Sequence, residues 1–145
     1  MLKGLINRVF VAIAKVISNR LSNSHASNRG ILDNLAGQTV ITPIFKVSAK
    51  HEIHTACPRY MDGLMRESEQ LYNAYASVLA LQSEAPDAKS ITFVSMGTGV
   101  YKGPMALAAD IAVKALLTST FEETLMCVID EKTRLIYQAA LDRYL

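Results

Sequence analysis

Apolar residues recur along this chain with periods that predict its elements one after another. From the N-terminus to about residue 23, Leu2, Leu5, Ile6, Val9, Ile13, Val16 and Ile17 fall on one side of a helix at about 100° per residue. Asn7, Arg8, Lys15, Ser18 and Asn19 take the opposite side. The spacing predicts an amphipathic helix packed on the protein's own sheet. Residues 22–30 (SNSHASNRG) read as a loop, and residues 31–36 as a short helical turn ended by Gly37. Residues 38–47 carry Thr39, Val40, Ile41 and Thr42, a strand that Pro43 confines to an edge or breaks. Residues 50–56 (KHEIHTA) predict a second strand, stopped by Pro58.

Helical spacing returns over residues 66–84, with Leu71, Tyr75, Val78, Leu79 and Gln82 in phase and Ser68 as the candidate cap. A short apolar strand over 90–95 runs into the glycine cluster SMGTGVY. Pro104 then opens a helix over 105–117, with Leu107, Ala108, Ile111, Ala112 and Ala115 on its inner face. Residues 124–129 (TLMCVI) predict a buried strand and residues 133–145 a final helix. Strands alternating with helices give an α/β domain with a layered sheet.

Composition narrows the function classes. The chain has 145 residues, 50% hydrophobic and 19% charged, enough for one domain over 1–145 and too apolar for a disordered chain. A net charge of +2, without basic residues clustered on one face, argues against a nucleic-acid partner. Arg8 and Lys15 interrupt the N-terminal apolar run, so that segment is expected neither to span nor to anchor in a membrane. Cys57 and Cys127 lie far apart among apolar neighbours, which predicts reduced thiols in a cytoplasmic protein rather than a disulfide or a zinc cage.

The glycine cluster is the candidate site. It follows a strand and leads into a helix, the place where parallel α/β sheets collect ligands. Gly97 and Gly99 have no Cβ to keep a ligand from the backbone, and they tolerate positive φ. Successive N–H groups can then cradle a diphosphate beside the positive end of the following helix. The spacing is not G-x-G-x-x-G, because Gly103 comes one residue late, and no P-loop Gly-Lys-Ser/Thr is present. Read alone, the cluster leaves phosphate binding and a structural turn both open.

Four segments in order carry a resemblance. Residues 37–60 (GQTVITPIFKVSAKHEIHTACPRY), 71–81 (LYNAYASVLAL), 90–116 (SITFVSMGTGVYKGPMALAADIAVKAL) and 125–137 (LMCVIDEKTRLIY) are similar to the C-terminal two-thirds of a macro domain, the family that binds ADP-ribose. The resemblance implies a three-layer α/β/α domain with a mixed sheet: a core over 37–145 and a divergent N-terminal helix and loop over 1–36. It implies that the loop wraps the diphosphate and proximal ribose through Ser95, Met96, Gly97, Thr98, Gly99, Val100 and Tyr101, mainly by backbone N–H, with Tyr101 over the ribose. Lys102 stands where the family has glycine, which leaves open a phosphate contact or a solvent position.

The family's Gly-Asp-Ile motif, its Asn-Ala-Ala-Asn segment and its second glycine loop have no counterpart here. KGLINRVF (3–10) resembles the helix that follows that second loop, so the resemblance implies a domain shortened at its N-terminus, with sheet strands missing. The apolar sheet edge this would expose predicts a cover from the N-terminal helix or from another chain, and in the second case a homo-oligomer. The resemblance further implies ADP-ribose or an ADP-ribosylated substrate as partner and no cofactor. Binding is the leading function. Open beside it are a hydrolase of ADP-ribosyl esters, ADP-ribosylated proteins or ADP-ribose 1''-phosphate, and a non-binding remnant or interaction domain. No catalytic residue is assignable.

Two further groups carry bland readings. His51, His54 and Cys57 are spaced three apart, and on a strand such neighbours face opposite ways, so no metal is expected. Glu67 and Glu69 suit a helix start, and Asp130 a turn after the last strand, a ligand contact being its second reading.

Overall fold

The protein is seen in a computed structural model that describes residues 9–13, 39–43, 49–58, 63, 66–98 and 104–145. Strands β1 (Val9–Ile13), β5 (Glu123–Val128) and β4 (Ser90–Val94) form a parallel sheet in the order β1-β5-β4. Val9 lies opposite Thr124 on one side of β5, and Ile91 opposite the same residue on the other. Strands β2 (Thr39–Pro43) and β3 (His51–Thr55) form a separate antiparallel pair, with Val40 opposite His54. Pro43 is the last residue of β2, where the missing N–H interrupts nothing beyond it.

β1 corrects the helix predicted for the N-terminal segment. The run VFVAI is wholly apolar, and a short run of that kind satisfies the helical and the extended period equally. β-branched residues at Val9, Val11 and Ile13 favour the strand, and pairing with β5 settles it. The loop over 22–30 and the turn over 31–36 lie outside the described residues.

Three helices form a row, α1 (Glu67–Ala80) on α2 (Met105–Leu116) and α2 on α3 (Glu131–Asp142), with a 3-10 turn, Leu81–Glu84, extending α1. Ala109, Ala112 and Ala115 are fully buried in the middle helix, and side chains this small let both neighbours approach closely. Leu107, expected on the inner face of α2, is instead 41% exposed. The buried stripe is rotated towards Ala108, Ala109, Ala112 and Val113, leaving Leu107 on the rim of the first turn. Beneath the helices, Phe93, Met126 and Val128 complete the core, with the Phe93 ring 5.5 Å from that of Tyr75.

The start of α1 also differs from expectation. Ser68 lies inside the helix, and Arg66 occupies the cap position in the left-handed region at φ 60 without a side-chain cap. Its guanidinium instead grips Glu69 at 2.7 and 2.9 Å. Glu67 and Glu69 both fall in the first turn, where the helix dipole favours acidic groups. α3 has the conventional cap: Asp130 Oδ1 accepts the Thr133 N–H at 2.7 Å, a helix-capping role in place of the turn role expected of it. No helix among the described residues is long and apolar enough to cross a membrane.

Candidate functional site

All three strands of the parallel sheet end on the same side, and the glycine cluster begins there, directly after Val94. Of the seven loop residues singled out in the sequence, Ser95, Met96, Gly97 and Thr98 are described; Gly99, Val100 and Tyr101 lie outside the described residues. The four form a tight turn. Gly97 stands at φ +80, a conformation that glycine alone adopts without strain. The Ser95 hydroxyl bonds the Thr98 hydroxyl across the turn at 2.9 Å.

The underside of this turn is held by side chains from three elements. Tyr75 of α1 accepts the Met96 N–H on its hydroxyl oxygen at 2.9 Å. Tyr137 of α3 bonds the Ser95 hydroxyl at 2.6 Å. Cys57, just past β3, receives the Gly97 N–H on its sulfur. The amides of Met96 and Gly97 therefore point into the protein.

Burial governs the ionisation of these groups. Both phenols are fully buried, which pushes each above the ordinary tyrosine value of 10; for Tyr75 the neighbouring Tyr137 adds to the effect. Burial pushes the Cys57 thiol up to about 11, only partly offset by the Gly97 N–H. All three stay neutral at physiological pH and serve as hydrogen-bonding groups, and Cys57 has none of the thiolate character a nucleophile needs.

On the other flank of the loop, α2 begins at Met105 behind Pro104, with no side-chain cap and no acidic residue in its first turn. Within its own first turn, no acidic residue offsets the positive end of the helix dipole. A cleft opens between the starts of α1 and α2, lined by Pro58, Glu67, Leu71, Gly97, Pro104 and Leu107. Glu67 is buried at its edge and accepts the Gly63 N–H at 3.2 Å.

The histidines separate as strand geometry requires. His51 is exposed and 3.6 Å from Asp87, whereas His54 is buried, within 3.9 Å of Glu52. Tyr75, Tyr137 and Cys57 are the residues that sequence reasoning missed as parts of the site. Their signal is a polar tip at positions that otherwise read as core.

The profile of the Macro domain family matches residues 6–112. The O-acetyl-ADP-ribose deacetylase of Salmonella gallinarum is 40% identical over 112 residues, which is 72% of this chain and 61% of that protein. A macro domain-containing protein of Lactiplantibacillus plantarum is 32% identical over 111 residues, 72% of this chain and 64% of its own length. The chain thus spans somewhat under two-thirds of the curated relatives it matches. Among solved structures, a mutant of the Oceanobacillus iheyensis macrodomain with ADPR superimposes with a TM-score of 0.72 at 25% identity, covering 94% of this chain and 85% of the other.

Proposed function

Because the chain belongs to the macro domain family, with the α/β fold of that family, we propose that it binds ADP-ribose or a related nucleotide diphosphate on the loop Ser95, Met96, Gly97, Thr98, Gly99, Val100 and Tyr101. The observation that carries this reading is the turn at Gly97. It lies at the carboxyl end of β4, held from below, and hands the chain to a helix whose first turn carries no competing acid. Within the loop the roles divide. The proposal gives Ser95, Met96 and Gly97 the role of the base and assigns the diphosphate contacts to Thr98, Gly99, Val100 and Tyr101. Two negative phosphates placed there gain the α2 dipole as well as the N–H bonds.

Calorimetric titration of ADP-ribose tests the reading, with Gly99→Glu as control, because a carboxylate at that position fills and repels a phosphate site. Micromolar binding lost in Gly99→Glu is the expected outcome. No heat at millimolar ADP-ribose refutes it and favours a non-binding interaction domain. A second reading, hydrolysis of an ADP-ribose ester, draws on the deacetylase name carried by the Salmonella relative. It requires acetate release from O-acetyl-ADP-ribose at a rate above the protein-free control.

A further inference from the structure

A tyrosine hydroxyl in a fully buried position costs stability unless it finds a partner, since its desolvation is otherwise uncompensated. Tyr75 and Tyr137 are both fully buried, on helices at opposite ends of the row, with α2 packed between them. Phenylalanine would fill either place without that cost. Both hydroxyls instead reach the same short stretch of chain, Tyr75 at the Met96 N–H and Tyr137 at the Ser95 hydroxyl. That stretch belongs to no ladder: β4 ends at Val94, so the Met96 N–H has no strand to pair with.

We propose that the Tyr75 and Tyr137 hydroxyls act as a buried latch that fixes Ser95 and Met96 and so sets the pose of the phosphate-binding loop. This rests on the diphosphate reading above. The two are positioning residues, acting through the loop rather than on the ligand. Tyr75 turns the Met96 amide inward. Tyr137 holds the Ser95 hydroxyl, which in turn holds the Thr98 hydroxyl across the turn. A chain of three hydroxyls thus runs from α3 to the far side of the turn. Loop order of this kind raises affinity by lowering the ordering cost of binding.

Tyr75→Phe and Tyr137→Phe test the latch, because each keeps the ring and removes only the hydroxyl. Two measurements are made on the full chain: amide hydrogen exchange, comparing residues 96–98 with Met126 and Cys127 in β5, and calorimetric titration of ADP-ribose. The latch predicts exchange about five- to tenfold faster in the loop only, the loss of one hydrogen bond, and an ADP-ribose Kd raised by a similar factor. If one variant does not fold, the other reads the same effect from its own end of the latch. Equal acceleration in loop and β5 would mean that the hydroxyls only stabilise the fold, and overturns the proposal. Faster loop exchange with unchanged affinity overturns it too. Failure of the wild-type chain to bind millimolar ADP-ribose is a separate result: it removes the diphosphate reading, and the latch's role in binding falls with it.

Discussion

Gly97→Ala asks whether the turn at the head of the loop is glycine by necessity. Two costs add. At φ +80 an alanine Cβ crowds its own backbone, which costs about 1–2 kcal/mol. The new carbon would also stand 3.3 Å from Leu71 Cδ1 and 3.6 Å from Cδ2. Leu71 is 7% exposed and belongs to the core cluster, so it yields only by disturbing its neighbours, adding about 1 kcal/mol. The sum is about 2–3 kcal/mol. For a chain of this size that lowers Tm by roughly 5–10 °C. The chain has no tryptophan, so far-UV circular dichroism in urea is the suitable probe. Leu71→Val separates the two costs, since valine has no Cδ atoms. In a double-mutant cycle it relieves the steric part of Gly97→Ala and leaves the φ part intact. A Gly97→Ala loss below about 0.5 kcal/mol would refute the reasoning, because neither cost in the sum can be that small.

Two further outcomes follow from ionisable groups, and a substitution checks each. Asp130→Ala removes the cap of α3 and lowers stability at neutral pH. The Thr133 N–H holds the Asp130 carboxyl below its ordinary 3.8, so the cap's contribution is present above that value and fades as pH falls through the lowered one. Denaturation curves of wild type and variant should therefore converge in acid. At the alkaline end, the Cys57 thiol keeps its proton to about 11 in the folded chain, against 9.0 when unfolded. Above pH 9 the unfolded state loses that proton first, and stability falls until pH 11 by up to about 2 kcal/mol, part of the full value being screened by solvent. Cys57→Ala lacks this contribution, so its stability gap to wild type should narrow over that window; a gap that stays constant contradicts the assignment.

How much of this was legible in the sequence depends on how local the deciding physics is. α2 and α3 were legible because Pro104 and Asp130 punctuate the chain next to strongly periodic residues. β2 and β3 were legible from β-branched residues bounded by prolines. β1 was not, because an unbroken apolar pentapeptide has no period of its own, and its partner β5 lies more than a hundred residues away. Ser68 misled for the opposite reason: a good capping residue stood two residues too late, after Arg66 had already started the helix in a left-handed pose that no propensity favours.

The same distinction explains the site. A glycine cluster after a strand announces a turn, but only tertiary contacts decide which amides face out. From the sequence, every loop residue between Ser95 and Tyr101 had an equal claim on the phosphates. The hydroxyl of Tyr75 and the sulfur of Cys57 withdraw two of those amides by bonding them from inside. On the diphosphate reading, each donor turned inward forgoes a phosphate contact, yet it removes a freedom that the loop would otherwise lose on binding. An anion site built from backbone alone has no long side chains to adapt, so its affinity depends on how nearly its amides already converge. In the proposed site, support from α1, α3 and the end of β3 fixes the described part of the loop, Ser95 to Thr98. This is why its strongest determinants sit in the core, where the sequence shows only tyrosines among aliphatic residues.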